Sequence, residues 1–165
     1  MLRLLLLRHA KSAWNHPGLR DHDRPLAPRG LRDAPRMGRY LREQGFTPAA
    51  ALISTAVRAR TTAELALEAA GAAPGALRLI PQLYGSSPDE IVEIVAGEGG
   101  TASPLLVVAH NPGMEDLAAR FLGRQEHFPT AALLVARVPA ADWAGLSPAA
   151  ATVEAFVRPR ELPRD

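Results

Sequence analysis

Residues 2–7 read Leu-Arg-Leu-Leu-Leu-Leu, a short and nearly unbroken apolar run. Such a run predicts a strand buried on both faces, as in a parallel sheet. A polar stretch follows over 9–28. Its Asn15, Pro17, Gly18, Asp21, Asp23 and Pro25 resist regular structure, so it reads as a long loop. Loops of this length inside a compact domain are usually functional or disordered. A helix is expected over 28–44, stopped by Gly45, with Leu31, Met37, Tyr40 and Leu41 on its apolar face. Pro35 would kink it or mark its true first turn.

From there strands and helices alternate. Strands are expected over 50–54, 77–80 and 105–109. Helices are expected over 56–70 (closed by Gly71), 88–96 (burying Ile91, Val92 and Val95) and 112–122 (closed by Gly123). Two last strands, 131–138 and 152–157, have no helix between them and should pair as an antiparallel edge. Their connection carries Trp143 and is rich in Ala and Pro. The alternation predicts an α/β fold, a three-layer α/β/α sandwich around a mainly parallel sheet. No repeat or linker interrupts it, and 165 residues suit one domain over 1–165.

Composition removes several function classes. The chain has no Cys, which excludes disulfides, zinc–thiolate sites and thiol catalysis. No stretch approaches the ~20 apolar residues of a membrane span, and Arg8, His9 and Lys11 follow the first run too closely for a signal peptide. A cytoplasmic protein without membrane contact is expected. The net charge is only +2 and aromatics are few, so nucleic acid is not an expected partner. Lys11 is the single lysine. Arg is the better fork for oxyanions, although GC-rich coding produces the same skew.

Chemistry gathers at three strand exits: Arg8-His9, then Ser54 to Arg58, then His110-Asn111-Pro112-Gly113. Ligands of open parallel sheets bind beyond the carboxyl ends of the strands. Two His and two Arg should therefore meet at one edge. Two helices also begin there. Asn111 reads as an N-cap before Pro112 at the first helical position, and Thr55 as a cap that sets Arg58 in a first turn. Helix N-termini add partial positive charge. An Arg on a first helical turn conflicts with the dipole unless an anion faces it. The set predicts a pocket for a small dianion such as phosphate. A neutral imidazole there could attack phosphorus, and the Arg pair would stabilise the transferring group without a metal or other cofactor.

These residues match a known pattern. Leu7-Arg8-His9-Ala10-Lys11-Ser12 resembles the Arg-His-Gly signature of the histidine phosphatase (phosphoglycerate mutase-like) superfamily. Ser54 to Thr62 resembles its second Arg motif, and Val108-Ala109-His110-Asn111-Pro112-Gly113 its second His motif. With Arg24-Pro25-Leu26-Ala27-Pro28-Arg29-Gly30 and the short length, the chain is similar to the SixA-like phosphohistidine phosphatase branch. The resemblance runs from Leu2 to about Leu122. It implies that His9 is the phosphorylated nucleophile and that Arg8, Arg58 and His110 hold phosphoryl oxygens. It places Ser12 and Asn15 near the substrate phosphate, and lets Asn111 contribute or act only as a helix cap. The implied partner is a phosphorylated protein bearing phosphohistidine, or a small phosphorylated substrate, acted on by a monomer or weak dimer.

Two departures stand out. Ala10 replaces the Gly that follows the nucleophile in most relatives. Many relatives also carry a Glu after the third strand that protonates the leaving oxygen; here that region reads Gln82-Leu83-Tyr84-Gly85-Ser86-Ser87-Pro88-Asp89-Glu90. Expelling an alkoxide needs acid help, whereas the P–N bond of phosphohistidine breaks more readily. Other readings are a broad phosphomonoesterase, a silent phosphate-binding module, and a metal hydrolase using His16, Asp21, His22 and Asp23, whose spacing matches no familiar metal site. Asp23 and Arg24 are expected to order the loop, Arg60 and His127 to face solvent, and Trp14 either to cover the rim or to lie under the loop.

Overall fold

A computed structural model describes residues 1–163. In chain order it contains β1 (Leu2–Arg8), α1 (Pro28–Glu43), β2 (Ala50–Ile53), α2 (Val57–Ala70), β3 (Leu77–Leu79), α3 (Pro88–Glu98), β4 (Leu105–Ala109), α4 (Gly113–Leu122), β5 (Leu133–Val138) and β6 (Thr152–Val157). The six strands form one sheet in the order β3-β2-β4-β1-β5-β6. The first four of that order are mutually parallel, and β5 and β6 add an antiparallel edge. The fold is the three-layer α/β/α sandwich around a mainly parallel sheet expected from the alternation.

The leucine run explains itself in β1. Successive strand residues face opposite sides of a sheet. Leu4 and Leu6 enter the core beneath α3 and α4, while Leu5 and Leu7 enter the core beneath α1 and α2. Leu105 and Val107 in β4 alternate with Leu106 and Val108 in the same way. Beyond Arg3, burial on both faces leaves no room for a polar residue until β1 ends. The first polar side chains with freedom to act are thus Arg8, His9 and their counterparts at the neighbouring strand ends.

Some boundaries and faces differ from the expected ones. α1 starts at Pro28, so Pro35 sits inside it and does not mark a first turn. Its buried stripe is Gly30, Asp33, Ala34, Met37, Gly38 and Leu41. Leu31 lies one residue off that stripe, about 100° around the helix from Gly30, and is 50% exposed. Small residues win the buried face because α1 packs closely on its neighbours. A Cβ on Gly38 would come within 2.2 Å of the Ala66 carbonyl oxygen of α2. α2 begins at Val57 behind Ala56, with no side-chain cap, and α4 begins at Gly113 behind Pro112, its first turn capped by the Asn111 side chain through the Glu115 N–H. No helix among the described residues is long and apolar enough to cross a membrane.

Candidate active site

Three adjacent strand ends build the site. β1 pairs with β4, placing Arg8 opposite Ala109, and β4 pairs with β2, placing Val108 opposite Ile53. His9, His110 and Ser54 are therefore the next residues along three neighbouring strands. Arg58 reaches the same edge as the second residue of α2. His9, Ser54, Arg58 and His110 are all buried. The two imidazole ring centres lie 5.1 Å apart.

His9 is fixed from both sides. Its backbone N–H donates to the Ala109 carbonyl (3.2 Å), and its own carbonyl accepts from Ala131 (3.0 Å). Its Nδ1 lies 2.8 Å from the Ala10 carbonyl oxygen. A carbonyl only accepts, so Nδ1 carries the proton and Nε2 is left as a bare nucleophilic nitrogen. Burial depresses its pKa to about 3, against the opposing pull of the Ala10 carbonyl and helped by His110, Arg8 and Arg58. Ala10 fills the position after it without penalty. It is fully buried, and its N–H donates to Thr62 Oγ1 (2.9 Å), which in turn donates to the Arg58 carbonyl (2.7 Å).

His110 is oriented by Ser54. Ser54 Oγ lies 2.7 Å from His110 Nε2 and accepts from the Ala56 N–H at 3.3 Å. The buried hydroxyl hydrogen has no other acceptor among the described residues, so it goes to Nε2. That sets the proton of neutral His110 on Nδ1. Burial lowers this pKa to about 4, with Arg58 contributing next and Asp21 opposing. His110 Nδ1, Arg8 Nε and Arg58 Nε are buried polar atoms without a protein partner. Three such donors around one imidazole fit an acceptor that presents several oxygens.

Arg8 donates from Nη1 to the Phe128 carbonyl at 3.4 Å. Burial lowers its pKa, Glu115 opposes, and Arg58 adds to the lowering. Arg58 is gripped by the loop. Its Nη1 donates to the Asp21 carbonyl (2.7 Å) and its Nη2 to Asp21 Oδ2 (2.9 Å). An anion does face this first-turn Arg, and it is supplied by the protein itself. The Tyr84 hydroxyl donates to the same Oδ2 at 2.6 Å, and Arg24 pairs with Oδ1. The Tyr84 hydrogen bond, then Arg58, hold the Asp21 carboxyl well below the usual carboxylate range despite partial desolvation. The ring of Tyr84 meets that of His110 edge-on, with 5.4 Å between centres.

The other expected site residues divide. Ser12 is buried but accepts from Arg24 Nη1 (2.9 Å). Asn15 is exposed and has no hydrogen bond among the described residues. Asn111 ties the start of α4 together, donating to the Phe128 carbonyl (2.9 Å) and accepting from the Glu115 N–H (3.2 Å). His16, Asp21, His22 and Asp23 do not converge, and no group of three or more His, Asp or Glu among the described residues is placed to share a metal. His22 instead bonds Thr55 Oγ1 at 2.9 Å, the hydroxyl expected to cap α2. Trp14 is 73% exposed and so does not lie buried under the loop; the Arg24 guanidinium sits 3.5 Å over its ring. Arg60 and His127 face solvent.

The pattern reading missed Ser54, Asp21 and Tyr84 as members of the site. Ser54 lay inside a recognised motif. Tyr84 stands where a carboxylate was sought. Asp21 carried no local signal beyond lying in a polar loop.

A model of the histidine phosphatase superfamily (branch 1) matches residues 4–83. A protein of Mycobacterium tuberculosis of undefined role is 39% identical over 93% of this chain and 100% of its own length. A structure from Nakamurella multipartitia, assigned as phosphohistidine phosphatase SixA, superposes with a TM-score of 0.81 at 32% identity, covering 96% of each chain. Another, with the same assignment, from Agrobacterium tumefaciens, gives a TM-score of 0.80 at 26% identity over 95% of this chain and 97% of that one.

Proposed function

Because the chain belongs to the SixA-like branch of the histidine phosphatase superfamily, we propose that it is a phosphatase that removes the phosphoryl group of phosphohistidine through a phospho-His9 intermediate. The observation that carries this reading is the pairing of a bare His9 Nε2 with unpartnered donors on Arg8, Arg58 and His110.

The chemistry divides into two displacements. In the first, His9 Nε2 attacks phosphorus. A new P–N bond forms as the P–N bond to the leaving imidazole breaks. The leaving nitrogen keeps that electron pair, and the ring departs neutral because it already carries a proton from solvent. In the second, water attacks the phosphorus of phospho-His9, the P–N bond breaks with its electrons returning to Nε2, and the water proton passes to solvent with phosphate as product. Arg8 and Arg58 stabilise charge on the equatorial oxygens, and His110 donates from Nδ1. The Nδ1–Ala10 hydrogen bond keeps the ring in the attacking tautomer throughout.

Among the described residues no carboxyl group is hydrogen-bonded to His9 or His110. Asp21 is the nearest carboxyl to the Arg58–His110 side, and it is held ionised by Tyr84 and Arg58. Tyr84 is a weaker acid than usual, since its hydrogen bond to Asp21 raises its pKa. This favours phosphoramidates over alkyl phosphates. The test is a comparison of phosphoimidazole, a phosphohistidine peptide, phosphoarginine and an alkyl phosphate. The first two should be turned over at least ~100-fold faster than the last. Equal rates would replace this reading by a broad phosphomonoesterase.

A further inference from the structure

One face of the molecule carries a groove of about 830 Å³ away from the imidazole pair. Its lining contains five Arg and His127, against the single carboxylate Asp33. Asp33 is itself consumed, 2.9 Å from Arg36. Arg36 and Arg158 build the walls: Arg36 donates to the Pro159 and Leu162 carbonyls, and Arg158 to Glu126 and the His127 carbonyl.

The remaining arginines behave differently from most on this surface. Arg3, Arg60, Arg78, Arg120 and Arg124 each have a carboxylate within salt-bridge range. Arg32 and Arg160 line the groove, are exposed, and have none among the described residues. Arg29 reaches Asp33 only at 4.0 Å. Beside them stand the half-exposed Leu31 and the partly buried Pro35 and Pro129. Unpaired guanidinium groups next to exposed apolar surface mark an interaction site more than a solvated face.

The walls of the groove are packed against the segment that carries His9. Gly30, next to Arg29, packs so closely on the loop after the nucleophile that a Cβ would lie 2.2 Å from the Lys11 carbonyl oxygen. On the other wall Arg29 donates to Thr130 Oγ1, and the following residue, Ala131, donates its N–H to the His9 carbonyl. From Arg29 to Arg36 the groove follows α1 for about 10 Å at 1.5 Å per residue.

We infer that this groove docks an acidic, partly apolar segment of the phosphorylated protein on which the enzyme acts. The inference rests on the phosphohistidine reading above. Charge complementarity selects carboxylates, and Leu31 and the prolines select a polypeptide over nucleic acid, since no Phe, Tyr or Trp lines the groove for base stacking. The protein substrate would thus be recognised at two places, with the phosphoryl group at His9 and an acidic tract along α1.

The test uses two phosphohistidine peptides, one with a Glu- and Leu-containing tract beside the phosphohistidine and one with Ser in its place, together with phosphoimidazole. The wild type should prefer the acidic peptide by about tenfold in kcat/KM at low salt, through KM. The double variant Arg32→Glu, Arg160→Glu should erase that preference and leave phosphoimidazole turnover unchanged. Absence of a preference, or its persistence in the variant, overturns the docking site while phosphoimidazole turnover keeps the proposed function standing. Loss of phosphoimidazole turnover in the wild type sinks the function itself, and the docking inference with it. Inhibition of acidic-peptide turnover by a single-stranded oligonucleotide, relieved in the variant, would assign the groove to nucleic acid instead.

Discussion

The Ser54 hydroxyl and His110 Nε2 lie 2.7 Å apart in the interior, at the ends of neighbouring strands. This contact decides which nitrogen of His110 faces its surroundings as a donor. Ser54→Ala removes it and leaves Nε2 buried without a partner. Turnover of phosphoimidazole should fall by roughly tenfold or more, as when the orienting partner of a functional His is lost. The loss should appear in kcat more than KM, and nitrogen NMR should show His110 shifting from the Nδ1–H form to a mixture. A purely structural role for Ser54 would leave the tautomer unchanged.

His9 and Arg58 separate the covalent role from the electrostatic one. His9→Ala should abolish turnover and the acid-labile phosphoryl adduct, while vanadate binding survives in part. Arg58→Ala should keep the adduct but slow its formation by ~100-fold or more, the usual cost of a preorganised transition-state donor. Rapid-quench measurement with labelled phosphoimidazole reports both. Near-normal rates in His9→Ala would falsify the covalent mechanism.

Two buried neutral imidazoles impose a pH dependence on stability. In the unfolded chain His titrates near 6.5; in the fold His9 and His110 sit at about 3 and about 4. Between these limits the unfolded chain binds more protons, so stability falls as pH drops through about 6.5 and keeps falling toward 4. Urea denaturation should show a slope approaching two protons near pH 5. His110→Asn should remove about one of them. Phosphate or vanadate should flatten the slope, since a bound dianion favours the protonated imidazoles.

Asp21 is a positioning residue for Arg58, and its test follows from geometry. Asp21→Asn keeps the shape but weakens two charged contacts, to Arg58 and to Arg24. KM for phosphoimidazole should rise and kcat should fall, each by a few-fold to about tenfold. The loop should become more open to proteases between Trp14 and Arg20. Asp21→Glu should restore part of the loss. Unchanged kinetics in Asp21→Asn would mean that Arg58 holds its place without the loop.

Activity should persist in chelator and stop with vanadate, as expected for charge stabilisation by guanidinium and imidazole groups. Recovery only on adding a divalent ion after dialysis against chelator would overturn that expectation.

The strand ends were legible because burial on both faces makes a simple pattern. Leu4 to Leu7 and Leu105 to Ala109 had to be interior strands, and the first polar residues after them had to share an edge. That logic pointed to Arg8, His9, Arg58 and His110, which the fold does bring to one edge. It could not find Asp21 or Tyr84. Their partnership joins a loop to the segment after β3 across 63 positions, and side chains of that kind look like ordinary loop and turn polarity in one dimension. Leu31 misled for the opposite reason. Its apolar character suggested the core, yet the close helix contact at Gly38 reserved that stripe for small residues.

β1 sends alternate leucines into both cores and ends in the Arg8–His9 pair. Neither half of the molecule can loosen without releasing His9 from its register. Catalytic output therefore doubles as a gauge of global integrity, expected to vanish in the same denaturant transition as the helical signal. The Asp21 latch, held to α2 through the Arg58 side chain, is expected to let go earlier.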